Sequence, residues 1–172
     1  HQYPHHQTEN IRGNVQTRMR KLKETEHWKG AIFAKAGLER MDMLPDDHVV
    51  LDWMLSAPAQ GAILAVTREH NDLARKALQE IHRTDVASCV HQERAFLRRL
   101  EGGCTAPIGA LAEIKNNKMH FHGNLTSLDG KRQFDVQESV PLDKANHLGE
   151  SLADKILSQG GDQLMKQLRE VL

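Results

Sequence analysis

The sequence predicts an α/β portion followed by an α+β domain, with the change of character near residue 84. Two observations carry this. Up to about residue 82, short apolar runs alternate with helical patterns in a strand–helix–strand–helix rhythm, as an α/β unit requires. Beyond residue 107, three segments alternate apolar and polar residues and are joined by Asn-Asn and Asp-Gly pairs, which predicts an antiparallel meander.

The elements follow in order. Residues 9–13 (ENIRG) read as a short strand feeding a helix over NVQTRMRKLKET, with Asn14 as its cap and Val15, Met19 and Leu22 on one face. Residues 31–34 read as a buried strand, followed by a short helix over AGLERMDML. DDHVVLDWML fits helix or strand equally. SAPAQG is a loop and GAILAVT a strand. REHNDLARKALQEI is an amphipathic helix with Leu73, Ala77, Leu78 and Ile81 on its inner face. The next helix, over 84–101, is expected to be capped by Thr84 or Asp85, with Val86, Val90, Leu97 and Leu100 as its apolar stripe. Three strands are marked by Ile108, Ala110, Ala112 and Ile114, then Met119, Phe121, Gly123 and Leu125, then Phe134 and Val136. Helices around 143–158 and 162–171 close the chain, broken at Gly160-Gly161. No internal repeat or low-complexity segment occurs.

Lys plus Arg and Asp plus Glu both number 23, so the net charge is zero with neutral His. Such a balance gives no general pull toward nucleic acid or anionic lipid, and any anion site must be a local arrangement of arginines. No run reaches the length of a membrane span, no signal-peptide pattern is present, and two cysteines without framework spacing suit a reducing, cytoplasmic compartment. The chain starts at His1, without methionine, in the irregular stretch HQYPHHQTEN, and reads as part of a longer protein. His5-His6 read as surface histidines more readily than as a metal site.

Few residues stand out chemically. Cys104 lies in LEGGCTAPIGA, between a Gly-Gly pair and Pro107, where an exposed thiol on a turn competes with a packing role. Arg12 and Arg18 bracket a predicted helix start beside Gly13, a setting for a carboxylate or phosphate, though a solvated basic face with Arg20, Lys21 and Lys23 explains them as well. Arg40 follows a predicted strand and turn, the ligand side of an open α/β sheet. His120 and His122 share a strand face with Asn124, which fits the solvent face of a sheet better than a metal site. Cys89 reads as packing, and Glu101 as solvated. No nucleotide loop, zinc spacing or Ser-His-Asp arrangement can be picked out.

Taken together and in order, IRGNVQTRMRKL, AIFAKAGLERM, SAPAQGAILAVTRE and ERAFLRRLEGGCTAPIGA resemble the porphobilinogen deaminase (hydroxymethylbilane synthase) family. The resemblance runs from about Asn10 to the C-terminus, and LEGGC followed by PIGA is its most specific part. It implies a transferase of tetrapyrrole (haem) biosynthesis that joins four porphobilinogen molecules into hydroxymethylbilane with release of ammonia. The family's primer is a dipyrromethane cofactor in thioether linkage to the cysteine of the GGC loop, here Cys104; no metal takes part. Carried over by motif, Arg12, Arg18, Ala34 and Gln60 would bind the cofactor, and Arg12, Arg18 and Arg40 the substrate carboxylates. The family usually has glycine where Ala59 stands.

The same resemblance implies a C-terminal piece lacking domain 1 and the first part of domain 2. Residues 1–57 would be the latter half of a periplasmic-binding-protein-like α/β domain, 58–83 a crossover strand and helix that return to domain 1, and 84–172 the α+β domain 3. The whole protein would be a monomer with porphobilinogen as its partner and no nucleic acid or membrane. The piece alone is expected to be inactive, and could self-associate through surface that domain 1 normally covers. Two alternatives remain: a non-catalytic tetrapyrrole-binding or assembly remnant, and a thiol enzyme using Cys104, which would need a nearby general base.

Overall fold

A computed structural model describes residues 2–101 and 106–171 of the chain. They fall into two units, His5–Trp53, and Met54–Leu172 together with His1–Pro4.

In the first unit, helix α1 (Val15–Glu24) starts where the Asn14 side chain accepts the Thr17 backbone N–H at 2.8 Å, the expected cap. The short helix α2 (Lys35–Arg40) buries Leu38. The Trp28 indole, after α1, donates to Glu9, ahead of it, at 2.8 Å, tying residues on either side of the helix together. DDHVVLDWML is neither helix nor strand.

The second unit holds helix α3 (Asp72–Glu80), helix α4 (Thr84–Arg99), strands β1 (Ile108–Lys115), β2 (Lys118–Thr126) and β3 (Gln133–Pro141), helix α5 (Leu148–Ile156) and helix α6 (Asp162–Val171). The three strands form an antiparallel sheet in the order β1-β2-β3, with Ala112 opposite Phe121 and Gly123 opposite Val136. Asn116 and Asn117 both take positive φ, 51° and 58°, the left-handed pair that a tight two-residue hairpin requires. Alternation works as expected on β2, where Met119, Phe121, Gly123 and Leu125 are buried. They pack against Phe96 of α4, Leu100 directly after it, and Leu152 and Ile156 of α5, with the Phe96 and Phe121 rings 5.3 Å apart. Truncating a fully buried phenylalanine of this kind costs about 3–5 kcal/mol. Between α5 and α6 the helix breaks at Gly160, φ 105°. None of the described helices is long and apolar enough to cross a membrane.

Several expectations are corrected. The described residues ahead of β1 contain no strand, so those expected at 9–13, 31–34 and 61–67 are not formed. A strand satisfies its N–H and C=O groups on a neighbour, and among the described residues no neighbouring strand runs beside these segments. The apolar side chains of GAILAVT consequently stay in water, with Ile63, Leu64 and Val66 at 97%, 78% and 82% exposure. Helix α3 begins later than expected, at the Asn71 cap, and its Leu73 and Ile81 are exposed, so the inner face read from periodicity covers nothing here.

The stripe of α4 is as expected at its end, where Leu100 is buried and Leu97 packs against the core, and differs earlier in the helix. Cys89, Gln92, Glu93, Ala95 and Phe96 are buried, whereas Val86 is exposed. Two polar residues occupy that face because each meets backbone amides there: Gln92 accepts from Gly149 at 3.0 Å, and Glu93 accepts from Ala112 at 2.8 Å. The cap of α4 is Arg83, not Thr84 or Asp85; Asp85 instead pairs with Arg83 at 2.7 Å. That guanidinium, followed by the Val86 amide, holds the Asp85 carboxyl below its ordinary range. The helix expected over 143–158 is a short turn at Leu142–Lys144 followed by α5. Gly149 brings α5 onto α4 at backbone distance: a Cβ there would lie 2.1 Å from the Gln92 carbonyl oxygen.

Candidate functional site

Each unit presents one arrangement with chemical content. In the first, Gly13 takes φ 128° immediately before the cap of α1, a conformation that side-chain-bearing residues rarely adopt. Arg18 lies one turn into the helix, where its own backbone N–H reaches Asn14 O at 3.0 Å. Its guanidinium carbon sits 5.0 Å from the centroid of the Phe33 ring. A cation over an aromatic face is worth about 0.5–2 kcal/mol, more as water is excluded. The Arg18 Nε is buried and lacks a hydrogen-bond partner among the described residues. Leaving such a donor unpaired costs about 1–3 kcal/mol.

The other basic residues of α1 behave differently. Arg20 pairs with Glu24 at 2.8 Å in the open, and the Lys21 ammonium donates to the Arg12 carbonyl at 3.1 Å. The solvated-face explanation therefore describes Arg20, and it does not describe Arg18. Arg12 is exposed, with no side-chain partner among the described residues. Ala34 directly follows Phe33 and is the residue from which α2 starts. Arg40 closes α2 at its C-terminus, where a cation complements the helix dipole. With no strand ahead of α2, the strand-end position inferred for Arg40 is absent, and nothing in the unit joins it to Arg12 or Arg18.

In the second unit, the loop carrying Gln60 lies against the free edge of β1. The Ala110 N–H donates to Ser56 O at 3.0 Å, and the next outward amide, Ala112, donates to a Glu93 carboxylate oxygen. The other Glu93 oxygen accepts from the Ala59 N–H at 2.7 Å. Ala59 is in the left-handed region, φ 61°, so the position where the family resemblance expects glycine has a glycine-like backbone. Gln60 itself is exposed. Beside it runs a groove of about 380 Å³ bounded by Ser56, Gln60, Val86, Cys89, Glu93 and Leu111. Burial pushes the Cys89 thiol above its ordinary value, and the charges of Glu93, Asp85 and Glu113 push the same way, while a bond from the Ile114 amide opposes them. Cys89 is thus an inert core thiol, as its helical position suggests.

Glu93 is the residue that sequence reading missed. Its signal was available: it falls at i+4 from Cys89 and i−7 from Leu100, on the buried face of α4, where an acid must be hydrogen-bonded. Of the histidine pair, His122 makes an ion-pair contact. His122 meets Asp135 at 2.9 Å, and Asn124 accepts from the Gly109 N–H at 3.1 Å. No group of three potential metal ligands occurs among the described residues. Glu101 is exposed and pairs with Arg169 at 2.7 Å. Cys104, with Gly102, Gly103 and Thr105, lies outside the described residues.

The described residues thus define a two-unit chain, one unit helical with an arginine braced on an aromatic ring at a helix start, the other a helix-backed three-stranded antiparallel sheet of α+β type. Comparison with known proteins narrows this. A family model described as porphobilinogen deaminase, dipyromethane cofactor binding domain, matches residues 1–76, and one described as porphobilinogen deaminase, C-terminal domain, matches residues 87–158. The chain is 38% identical over 160 residues to the porphobilinogen deaminase of Pelobacter propionicus, covering 92% of this chain and 51% of that protein. It is 36% identical over 171 residues to that of Desulforamulus reducens, covering 96% and 54%. It is 37% identical over 168 residues to the probable porphobilinogen deaminase of Methanosarcina barkeri, covering 94% and 52%. The chain belongs to the porphobilinogen deaminase family. It spans about half the length of the curated relatives it matches.

Proposed function

We propose that this chain is the cofactor-binding and C-terminal part of a hydroxymethylbilane synthase, a transferase that joins four porphobilinogen molecules with release of ammonia. The observation that carries the proposal is Arg18: a guanidinium set on Phe33 with a buried, unpaired Nε, inside the stretch matching the cofactor-binding model. Porphobilinogen bears an acetate and a propionate, so a growing chain accumulates carboxylates. A planar donor fork held in place by a ring is suited to them.

The residues present fit a carboxylate-bearing dipyrromethane. Dipyrromethane, when bound, supplies the primer on which the pyrrole chain grows. By resemblance to the family, Arg12, Arg18, Ala34 and Gln60 would bind the cofactor, and Arg40 would meet the carboxylates of the incoming unit. The Cys104 thiolate is the covalent anchor, its sulfur a soft nucleophile for an electrophilic methylene carbon. Each condensation also needs a group that delivers and removes protons and offsets positive charge at the ring nitrogens. Glu101, the acid beside the GGC loop, is exposed and pairs with Arg169, and by resemblance to the family that group would come from domain 1, so the 172-residue chain by itself is proposed to be inactive. The full-length protein, incubated with porphobilinogen, should yield uroporphyrin on oxidation of its product. Absence of uroporphyrin from a folded full-length protein would overturn the proposal.

A further inference from the structure

We infer that Glu93 is a positioning residue for the proposed reaction: its buried carboxylate holds the Gln60 loop in place by clamping it to the edge of β1. The inference rests on the role proposed for Gln60. It is drawn from a juxtaposition that no sequence pattern displays. Glu93 is 7% exposed, and its two oxygens are divided between two separate pieces of backbone, Ala59 N–H at 2.7 Å and Ala112 N–H at 2.8 Å. Ionised acceptors make short, strong bonds of this kind, and only a carboxylate offers two such acceptors at this reach.

The clamp acts on backbone that needs holding. Ala59 occupies φ 61°, which an L-residue with a Cβ enters at a cost, and Gln60 is the next residue. Its own N–H turns back to Ala57 O at 3.1 Å, and the Ala62 N–H to Ala59 O at 3.2 Å, so consecutive turns hang on this one point. On the other side, Ser56 O already pairs with Ala110. Ser56 fixes where the loop leaves the β1 edge, and Glu93 fixes the orientation of the peptide that sets the direction of Gln60. Among the described residues, no hydrogen bond joins the Glu93 side chain to a candidate ligand residue, and its effect passes through residues 59 and 60.

Glu93→Gln tests this in the full-length enzyme. The amide keeps the size but turns one acceptor into a donor that faces an N–H. The expected result is a loss on the order of tenfold in kcat/KM, the effect of one charged hydrogen bond. Peptides covering residues 57–64 should also exchange amide hydrogens faster. In a double-mutant cycle with Gln60→Ala, the two losses should be strongly non-additive, because a displaced Gln60 has nothing further to lose. Glu93→Asp, which keeps the charge, should recover part of the activity. Additive losses, or a lowered melting temperature with unchanged kcat/KM, would reduce Glu93 to a structural residue and overturn the inference. If Glu93→Gln does not fold, Glu93→Asp carries the same cycle. A Gln60→Ala variant with full activity would instead remove the proposed role of Gln60, and the inference with it.

Discussion

Replacing Arg18 by Leu separates ligand binding from stability, because the structure assigns it opposite signs in the two. Leucine keeps an apolar stem against Phe33 and removes a buried Nε that has no partner among the described residues. Relief of that unpaired donor is worth about 1–3 kcal/mol, set against a lost cation–π contact of about 0.5–2 kcal/mol. The two nearly cancel, so the melting temperature of the ligand-free protein should stay level or rise slightly. Binding should suffer: a charged hydrogen bond to a carboxylate contributes about 1.5–3 kcal/mol, or roughly ten- to a hundredfold in affinity. Arg20→Leu is the control, since its exposed pair with Glu24 is worth only about 0.3–0.5 kcal/mol. The assay is cofactor loading of the full-length protein, read by intact mass, beside thermal melts of each variant. Equal loading in the two variants, or a marked loss of stability in Arg18→Leu alone, would refute the reasoning.

Two further predictions concern the second unit. Gly149→Ala forces a methyl to within 2.1 Å of the Gln92 carbonyl and pulls the Gly149 amide off the Gln92 side chain. Overpacking and a broken buried bond together should cost about 3–5 kcal/mol, and urea unfolding that shows less than about 1 kcal/mol would contradict the backbone contact of α4 with α5. Ala59→Gly removes a left-handed strain of about 1–2 kcal/mol and adds about 0.5–1 kcal/mol of chain entropy. A net gain of about 0.5–1 kcal/mol is expected, and a loss in the same unfolding experiment would show that the loop is not held at positive φ.

What could be read from the sequence depended on where each element finds its partners. The three strands of the meander pair with one another and pack on α4 and α5, so alternation and turn residues sufficed, from Ile108 to Val136. GAILAVT has equally strong strand composition, yet pairing is a property of two segments, and a run of apolar residues does not carry its partner with it. The stripe of α4 was legible at Leu97 and Leu100 but not before them, because a scan for apolar residues passes over Gln92 and Glu93, which are buried for their hydrogen bonds. In the candidate site, Gly13 and Arg18 were legible as a helix start with a cation. The stacking of Arg18 on Phe33, fifteen residues away along the chain, was not. Nor was the Glu93 clamp, which joins residues 34 and 19 positions apart.

The central claim, a cofactor-bearing part of a porphobilinogen deaminase anchored at one thiol, is tested most directly by the mass of the full-length protein and of its two cysteine variants. Cys89 is the internal control. Its buried thiol, pushed up by desolvation and by Glu93, Asp85 and Glu113, stays protonated at neutral pH and is a poor nucleophile. The account predicts a dipyrromethane adduct on the parent protein and on Cys89→Ser, mapped to the peptide containing residue 104, and none on Cys104→Ser. An adduct that persists on Cys104→Ser, or that disappears from a folded Cys89→Ser, would contradict it.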